Sequence, residues 1–228
     1  MNVKAKNGGV LSKLTPQNVV KILRTWIRTD HSDMVMEKKL SDATYTPKSG
    51  LSVVEGDRQA VIQLCRENPD KMRGEEVKFL SYLDCGYRPL LAEIDGRIVG
   101  HIWWHDHRLD RTSLHPQVIR LGIDLAPGEV YSFDLFLLPQ HRGGGASNDL
   151  FGLFRKHLRD AGYTKVYGVA SASNLPAVWI HKLQGYRTVR TVESQLLCGG
   201  ALLWSEGRLF LRNPTVVVKQ KFDYRSVW

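Results

Sequence analysis

A strand-like run closes with Leu135-Phe-Leu-Leu-Pro139. It is followed by Gln140-His-Arg142-Gly143-Gly144-Gly145-Ala146-Ser147, where a helical pattern begins at once. Glycines let backbone N–H groups approach a ligand closely, and the first turn of a helix adds partial positive charge. Together they make an anion site suited to a pyrophosphate. Two familiar phosphate motifs do not fit. No Lys-Ser/Thr pair follows at the P-loop spacing, and Asn148 stands where a dinucleotide fingerprint starting at Gly143 needs its third glycine.

The run 129–138 leading into the loop carries two acids. Glu129 and Tyr131 share one face by the period of two, which puts Asp134 on the other. An acid inside Phe-Asp-Leu-Phe is either buried with a partner or functional. His101-Ile-Trp-Trp-His105-Asp-His107 places His105 and His107 on one side of a strand, a spacing that invites a metal reading. Cys65, Cys85 and Cys198 form no CxxC pair and no disulfide framework, so they read as buried thiols in a reducing cytoplasm.

These residues need a scaffold, and the chain is long enough to build one. Its 228 residues suit one large domain, or a domain with an extension. Such a chain buries roughly 70–75% of its unfolded surface. Hydrophobic residues at 43% and charged residues at 24% exclude wholesale disorder. No apolar run approaches the roughly 18 residues of a membrane span, and the first residues lack the apolar centre of a secretory signal. The formal charge is +9, and residues 1–50 supply +5 of it. That excess favours anionic partners.

Residues 1–14 read as a basic arm. Thr15-Pro16 opens a helix whose apolar stripe is Val19, Val20, Leu23, Trp26 and Ile27. A short strand over 34–40 and a linker over 42–50 follow. Regular elements start at Leu51: a strand at 51–55, two helical pieces in 57–84, and a hairpin of 88–94 and 97–104 across Asp95-Gly96. After 129–138 come a helix at 147–161, a strand at 165–170, a short helix at 177–184, and strands at 186–197 and 202–211. Hairpins first and alternation later imply an α+β, mixed α/β fold. The chain divides into an extension 1–50, a domain 51–211 and a tail 212–228.

The spacing Gln140-x-x-Gly143-x-Gly145, also readable as Arg142-x-x-Gly145-x-Ser147, resembles the acyl-CoA pyrophosphate loop of the GNAT superfamily of N-acyltransferases. Ser147 departs from the family's usual glycine or alanine. About 30 residues on, Asn174-Leu-Pro-Ala177-Val-Trp-Ile-His181-Lys-Leu-Gln-Gly185-Tyr186 is similar to the family's second signature. Two motifs in order, with a helix and a strand between them, are far more specific than either alone. The resemblance covers roughly 51–211 and implies a central twisted, mostly antiparallel mixed sheet flanked by helices.

The resemblance also implies a chemistry: direct attack of an amine on an acyl-CoA thioester, acetyl-CoA being the expected donor. Gln140, Arg142, Gly143, Gly144, Gly145, Ala146, Ser147, Asn174 and Ala177 are then expected at the cofactor. A backbone N–H of Leu137 or Leu138 is expected to stabilise the oxyanion. His181 stands where the family usually has the tyrosine that protonates the leaving thiolate, and imidazole can do that work. The departure also leaves an altered or lost activity open. Glu129 and Asp134 match positions that carry a base or bind the amine in family members. No metal is expected, since the family needs none; Trp103 and Trp104 then belong to core and substrate wall.

Three further readings stay open. An acidic acyl carrier protein could replace CoA as donor, steered by the basic extension. The chain could be a CoA-binding or interaction module without catalysis. The amphipathic stripe could rest on an anionic membrane surface, although packing on the domain is preferred. A homodimer is left open. Nucleic acid is disfavoured, because 1–50 has only Trp26 and Tyr45 as aromatics and no recognised motif.

Overall fold

Asp95 and Gly96 both adopt positive φ, 50° and 73°, the backbone a two-residue hairpin turn requires. They join strands Arg88–Ile94 and Arg97–Asp106, the third and fourth of the chain (β3 and β4). The computed structural model describes residues 29–40, 45–197, 200–205 and 208–212. The arm, the 15–28 stripe and the tail beyond Arg212 lie outside the described residues, as does Cys198.

In chain order the other elements are β1 (Thr29–Lys39), β2 (Ser52–Glu55), α1 (Arg58–Glu67), α2 (Glu75–Asp84), α3 (Pro116–Leu121), β5 (Glu129–Leu137), α4 (Ala146–Asp160), β6 (Lys165–Ser171), α5 (Leu175–Leu183), β7 (Arg187–Leu197), β8 (Gly200–Ser205) and β9 (Arg208–Arg212). The described strands form one sheet in the order β2-β3-β4-β5-β6-β1-β7-β8-β9. Only β5 and β6 run parallel; the other neighbours are antiparallel. This is the mixed, mostly antiparallel α+β sheet that the two motifs imply.

Helices cover both faces. On one face Phe79 and Tyr82 of α2 pack on Trp103 and Phe133. His115, the N-cap of α3, sits 4.3 Å from the Phe133 ring. On the other face α4 buries Leu150, Phe151, Phe154 and Leu158. Trp104 there meets His157 and Tyr163.

Four expectations change. The division at residue 50 does not hold, because β1 is an interior strand: Asp33–Lys39 pairs with β6, and Thr29–Glu37 with β7. A strand that crosses over to distant partners leaves no local signal of where it inserts. Residues 45–49 are pinned and do not act as a free linker. Asp149, in the first turn of α4, accepts from Tyr45 Oη, Lys48 N, Ser49 N and Ser49 Oγ at 2.5–2.8 Å. Gly152 leaves room for the Tyr45 ring, which a Cβ would meet at 2.3 Å. The stretch 202–211 is two strands, β8 and β9, folded on each other. Finally, α3 fills a region that carries too short a periodic pattern to read as a helix.

Candidate active site

β5 and β6 pair over only four residues, Glu129–Ser132 against Lys165–Gly168. Beyond Ser132 and Gly168 the register ends and the strands part. The opening lies at the C-terminal ends of the pair, where β5 runs into the glycine loop. Gly143, Gly144 and Gly145 all have positive φ, at 105°, 55° and 90°. A Cβ on any of them would meet nothing within 4 Å, so the glycines are required by backbone conformation and not by crowding within the chain. Gly145 is the N-cap of α4 and brings no side-chain hydrogen bond. The first turn of this 15-residue helix therefore has no side-chain cap; Ala146 N donates to Gly143 O at 3.0 Å and is spent there, which leaves the N–H of Ser147 and those of the loop glycines as the candidate donors. An anion fits there. Gln140 is exposed in a single 3-10 turn, Pro139–His141. Arg142 folds back: its Nε donates to the Leu137 carbonyl at 2.8 Å, and its guanidinium lies 5.3 Å from the Phe136 ring.

The loop geometry also separates the two oxyanion candidates. Leu138 N donates to Val99 O at 2.8 Å, so Leu138 is spent on the ladder and is withdrawn as a donor. Leu137 forms the adjoining register pair with Gly100. Successive residues of a strand direct their N–H groups to opposite sides, so Leu137 N–H faces away from β4, toward the opening.

Asn174 and Ala177 serve α5 itself. Asn174 is the N-cap, and its Oδ1 accepts from Ala177 N at 3.2 Å. Ala177 O in turn accepts from His181 Nδ1 at 2.7 Å. A carbonyl only accepts, so Nδ1 carries the hydrogen and neutral His181 has its lone pair at Nε2. That nitrogen lies 2.9 Å from where a Gly168 Cβ would be, with Ser132 Oγ 3.8 Å from the same point. His181 thus points at the root of the opening, between the rings of Phe151 and Tyr186 at 5.2 and 5.0 Å. Burial pulls its pKa down, and the Ala177 carbonyl only partly offsets that. The Gly168 approach escaped the sequence reading. A lone glycine inside a strand is the signal for it.

The two acids separate sharply. Glu129 begins β5, roughly 26 Å of strand from Leu137 at about 3.3 Å per residue. It pairs with Lys165 at 2.5 Å and accepts from Ala126 N at 3.0 Å. Burial raises its pKa, but Lys165 and Ala126 outweigh that and hold the carboxyl low. Glu129 clamps the closed end of β5 and β6, and the structure does not bring it to the opening.

Asp134 does lie at the opening, on the face opposite His181. The β4–β5 register shifts between His101 and Trp103, and Asp134 has φ +47°. This bulge cancels one alternation and turns Asp134 onto the same face as Tyr131 and Phe133, contrary to the period-two expectation. Its Oδ2 is 2.9 Å from Lys78 Nζ, and its Oδ1 is 3.5 Å from His101 Nε2. Burial favours the neutral acid, but His101 and Lys78 overcome it and hold the pKa far below the carboxylate range. Lys78 and His101 were not legible as site residues, because only the tertiary fold joins α2 and β4 to the bulge. Among the described residues no group of three or more His, Cys, Asp or Glu side chains could hold a metal ion. His105 instead accepts from His115 N at 3.3 Å inside an aromatic cluster.

No curated protein sequence matches the chain. Among solved structures, a Drosophila protein superposes with a TM-score of 0.50 at 13% identity, over 79% of this chain and 57% of that one. A functionally unknown conserved protein of Staphylococcus epidermidis gives 0.51 at 12% identity, over 80% and 67%. A GCN5-related glucosamine N-acetyltransferase region of a fungal multi-domain enzyme gives 0.53 at 13% identity, over 79% of this chain and 23% of that chain. At such identities the likeness is one of fold. The model of the acetyltransferase (GNAT) family matches residues 59–186, which hold α1 to α5, the glycine loop and the opening between β5 and β6. The chain belongs to the GNAT family of acetyltransferases.

Proposed function

We propose that the chain moves an acyl group, acetyl first among them, from a CoA thioester to an amine. One observation carries this reading: β5 and β6 part beside an uncapped helix N-terminus, with His181 facing the gap from one side and Asp134 from the other. A linear thioester fits such a gap, and the second face stays free for the acceptor.

In this reading the N–H groups of Gly143, Gly144, Gly145 and Ser147 hold the pyrophosphate, Ala146 N being taken by Gly143 O, and CoA supplies the activated carbonyl. Leu137 N–H stabilises the charge that develops on the thioester oxygen. Asp134 is held ionised, so it binds the acceptor as an ammonium; being a weak proton acceptor, it leaves the first proton to pass to solvent, and the neutral amine is the species that attacks. His181 is neutral near pH 7, with Nε2 open. It therefore takes a proton before it can give one: Nε2 accepts the proton released as the C–N bond forms, then returns it to the departing sulfur. This reverses the simple expectation of a resting proton donor at position 181.

The reading is tested by incubating the protein with acetyl-CoA and a panel of primary amines. Free thiol and an amine heavier by one acetyl group should appear together. Binding of acetyl-CoA without thiol release from any amine would favour the non-catalytic module instead.

A further inference from the structure

Lys78 carries the group an amine acceptor would carry, a primary ammonium, and holds it against Asp134. Its side chain is an unbranched four-carbon stem ending in an ammonium. It crosses the rings of Phe79 and Tyr82, with Nζ 5.0 and 5.9 Å from their centroids, and ends 2.9 Å from Asp134. The Lys78 side chain is 14% exposed and that of Asp134 24%, so the ammonium closes the outer end of the carboxylate. Lys78 also pairs with Glu75, one helical turn back on α2. An ammonium with two carboxylates can leave one and keep the other.

We propose that Lys78 is an internal stand-in for the substrate: its ammonium occupies the Asp134 position in the free protein, and an acceptor bearing a primary ammonium on an unbranched alkyl chain displaces it onto Glu75. This rests on the acyltransferase reading for its purpose, but the displacement itself needs no turnover to be observed.

The charges around the pair favour a cation as the incoming group. Glu75, Lys78 and Asp134 sum to −1, and arrival of a second ammonium neutralises the cluster. From α1, Cys65 faces Glu75 and Glu76; burial first, then these acids, push its thiol to about 11, so it adds no charge near neutrality. From β4, His101 lies edge-on to Phe79 at 4.7 Å and stacks on Phe136 at 5.8 Å, behind Asp134. Tyr82 is pushed up by burial and by Asp134, so it stays neutral. Burial works against the Lys78 charge, but Asp134 and Glu75 more than restore it, so Lys78 remains an ammonium. An anionic acceptor would find no unpaired positive charge here.

The test compares wild type with Lys78→Met, which keeps the stem and removes the ammonium. n-Butylamine is the probe, and acetyl-CoA is titrated in parallel. If Lys78 fills the position about nine-tenths of the time, the variant binds butylammonium roughly 10-fold more tightly. Butylamine should also raise the melting temperature of Lys78→Met more than that of wild type, and Asp134→Asn added to Lys78→Met should abolish the gain. Acetyl-CoA affinity should not change. Lys78→Gln replaces Lys78→Met if the latter does not fold. Equal or weaker butylammonium binding in the variant overturns the proposal, whether or not any amine is acetylated. Loss of acetyl-CoA binding in wild type overturns the acyltransferase reading and leaves the displacement measurable.

Discussion

His181 donates its Nδ1 hydrogen to the carbonyl oxygen of Ala177 at 2.7 Å, and that bond decides which ring nitrogen faces the opening between β5 and β6. The helix that carries the residue therefore also selects its tautomer. Asn174 completes the arrangement by capping the same turn through Ala177 N.

A pH dependence follows from that tautomer and from burial. The His181 pKa lies below the ordinary imidazole value of about 6.5, so Nε2 is free at neutral pH and becomes protonated only on acidification. With the acceptor's own ionisation divided out, the rate of acyl transfer should fall as pH drops through the lowered pKa and stay level above it. His181→Ala should lower the catalytic rate by about 100-fold and remove that acidic limb, with acyl-CoA affinity little changed. A rate that instead fell above neutrality would return His181 to the role of resting proton donor.

The glycine loop can be probed without straining it. Gly144 has φ +55°, a conformation that asparagine tolerates better than other side chains, and its Cβ would meet nothing in the free protein. Gly144→Asn should keep the melting temperature within about 2 °C of wild type, in line with a surface change of about 0.5 kcal/mol. It should nonetheless weaken acetyl-CoA binding by at least about 10-fold, because the new side chain occupies the path of the pyrophosphate. Unchanged calorimetric affinity would reduce the three glycines to a turn.

Glu129 gives the opposite pattern. Glu129→Gln weakens the ion pair with Lys165 that closes the end of β5 and β6. The expected cost is about 1 kcal/mol, or roughly 2–4 °C in melting temperature. The Michaelis constant and turnover should not move. A large fall in turnover at unchanged stability would put Glu129 back among the catalytic residues.

The aromatic cluster predicts acid sensitivity. His105 and His115 each accept a backbone N–H, from His115 N and Gln117 N, and must be neutral to do so. Burial holds His105 at about 4 and His115 at about 3, against about 6.5 in the unfolded chain. Between those values the unfolded chain binds protons that the fold refuses. Their contribution is complete above about 6.5 and is lost as pH falls, with a slope approaching about 1.4 kcal/mol per pH unit for each histidine. Urea midpoints between pH 7 and pH 5 should decline. A flat profile would mean the cluster opens to admit protons without unfolding.

The legible parts of the molecule are those fixed by local chemistry. Asp95-Gly96 fixes its hairpin, the glycine loop marks the start of α4, and Asn174 with Gly185 brackets α5. Long-range pairing was not legible: nothing near residues 29–39 reveals that β1 inserts between β6 and β7. The bulge at Asp134 was equally silent, since a register shift belongs to two strands at once, and it reverses the face a period-two count assigns. Glu129, paired with Lys165 at the start of β5, shows a related limit. A residue on the right strand can still sit at the wrong end of it.

Calorimetric titration of the full chain with acetyl-CoA tests the central claim most directly. The glycine loop and the gap beside it should bind one equivalent. At 100 times the dissociation constant, the ligand should stabilise the fold by about 2.7 kcal/mol. At the same acetyl-CoA concentration Gly144→Asn should lose about half of that stabilisation or more, while Glu129→Gln keeps it. No heat and no thermal stabilisation at millimolar acetyl-CoA would contradict the reading of this opening as an acyl-CoA site.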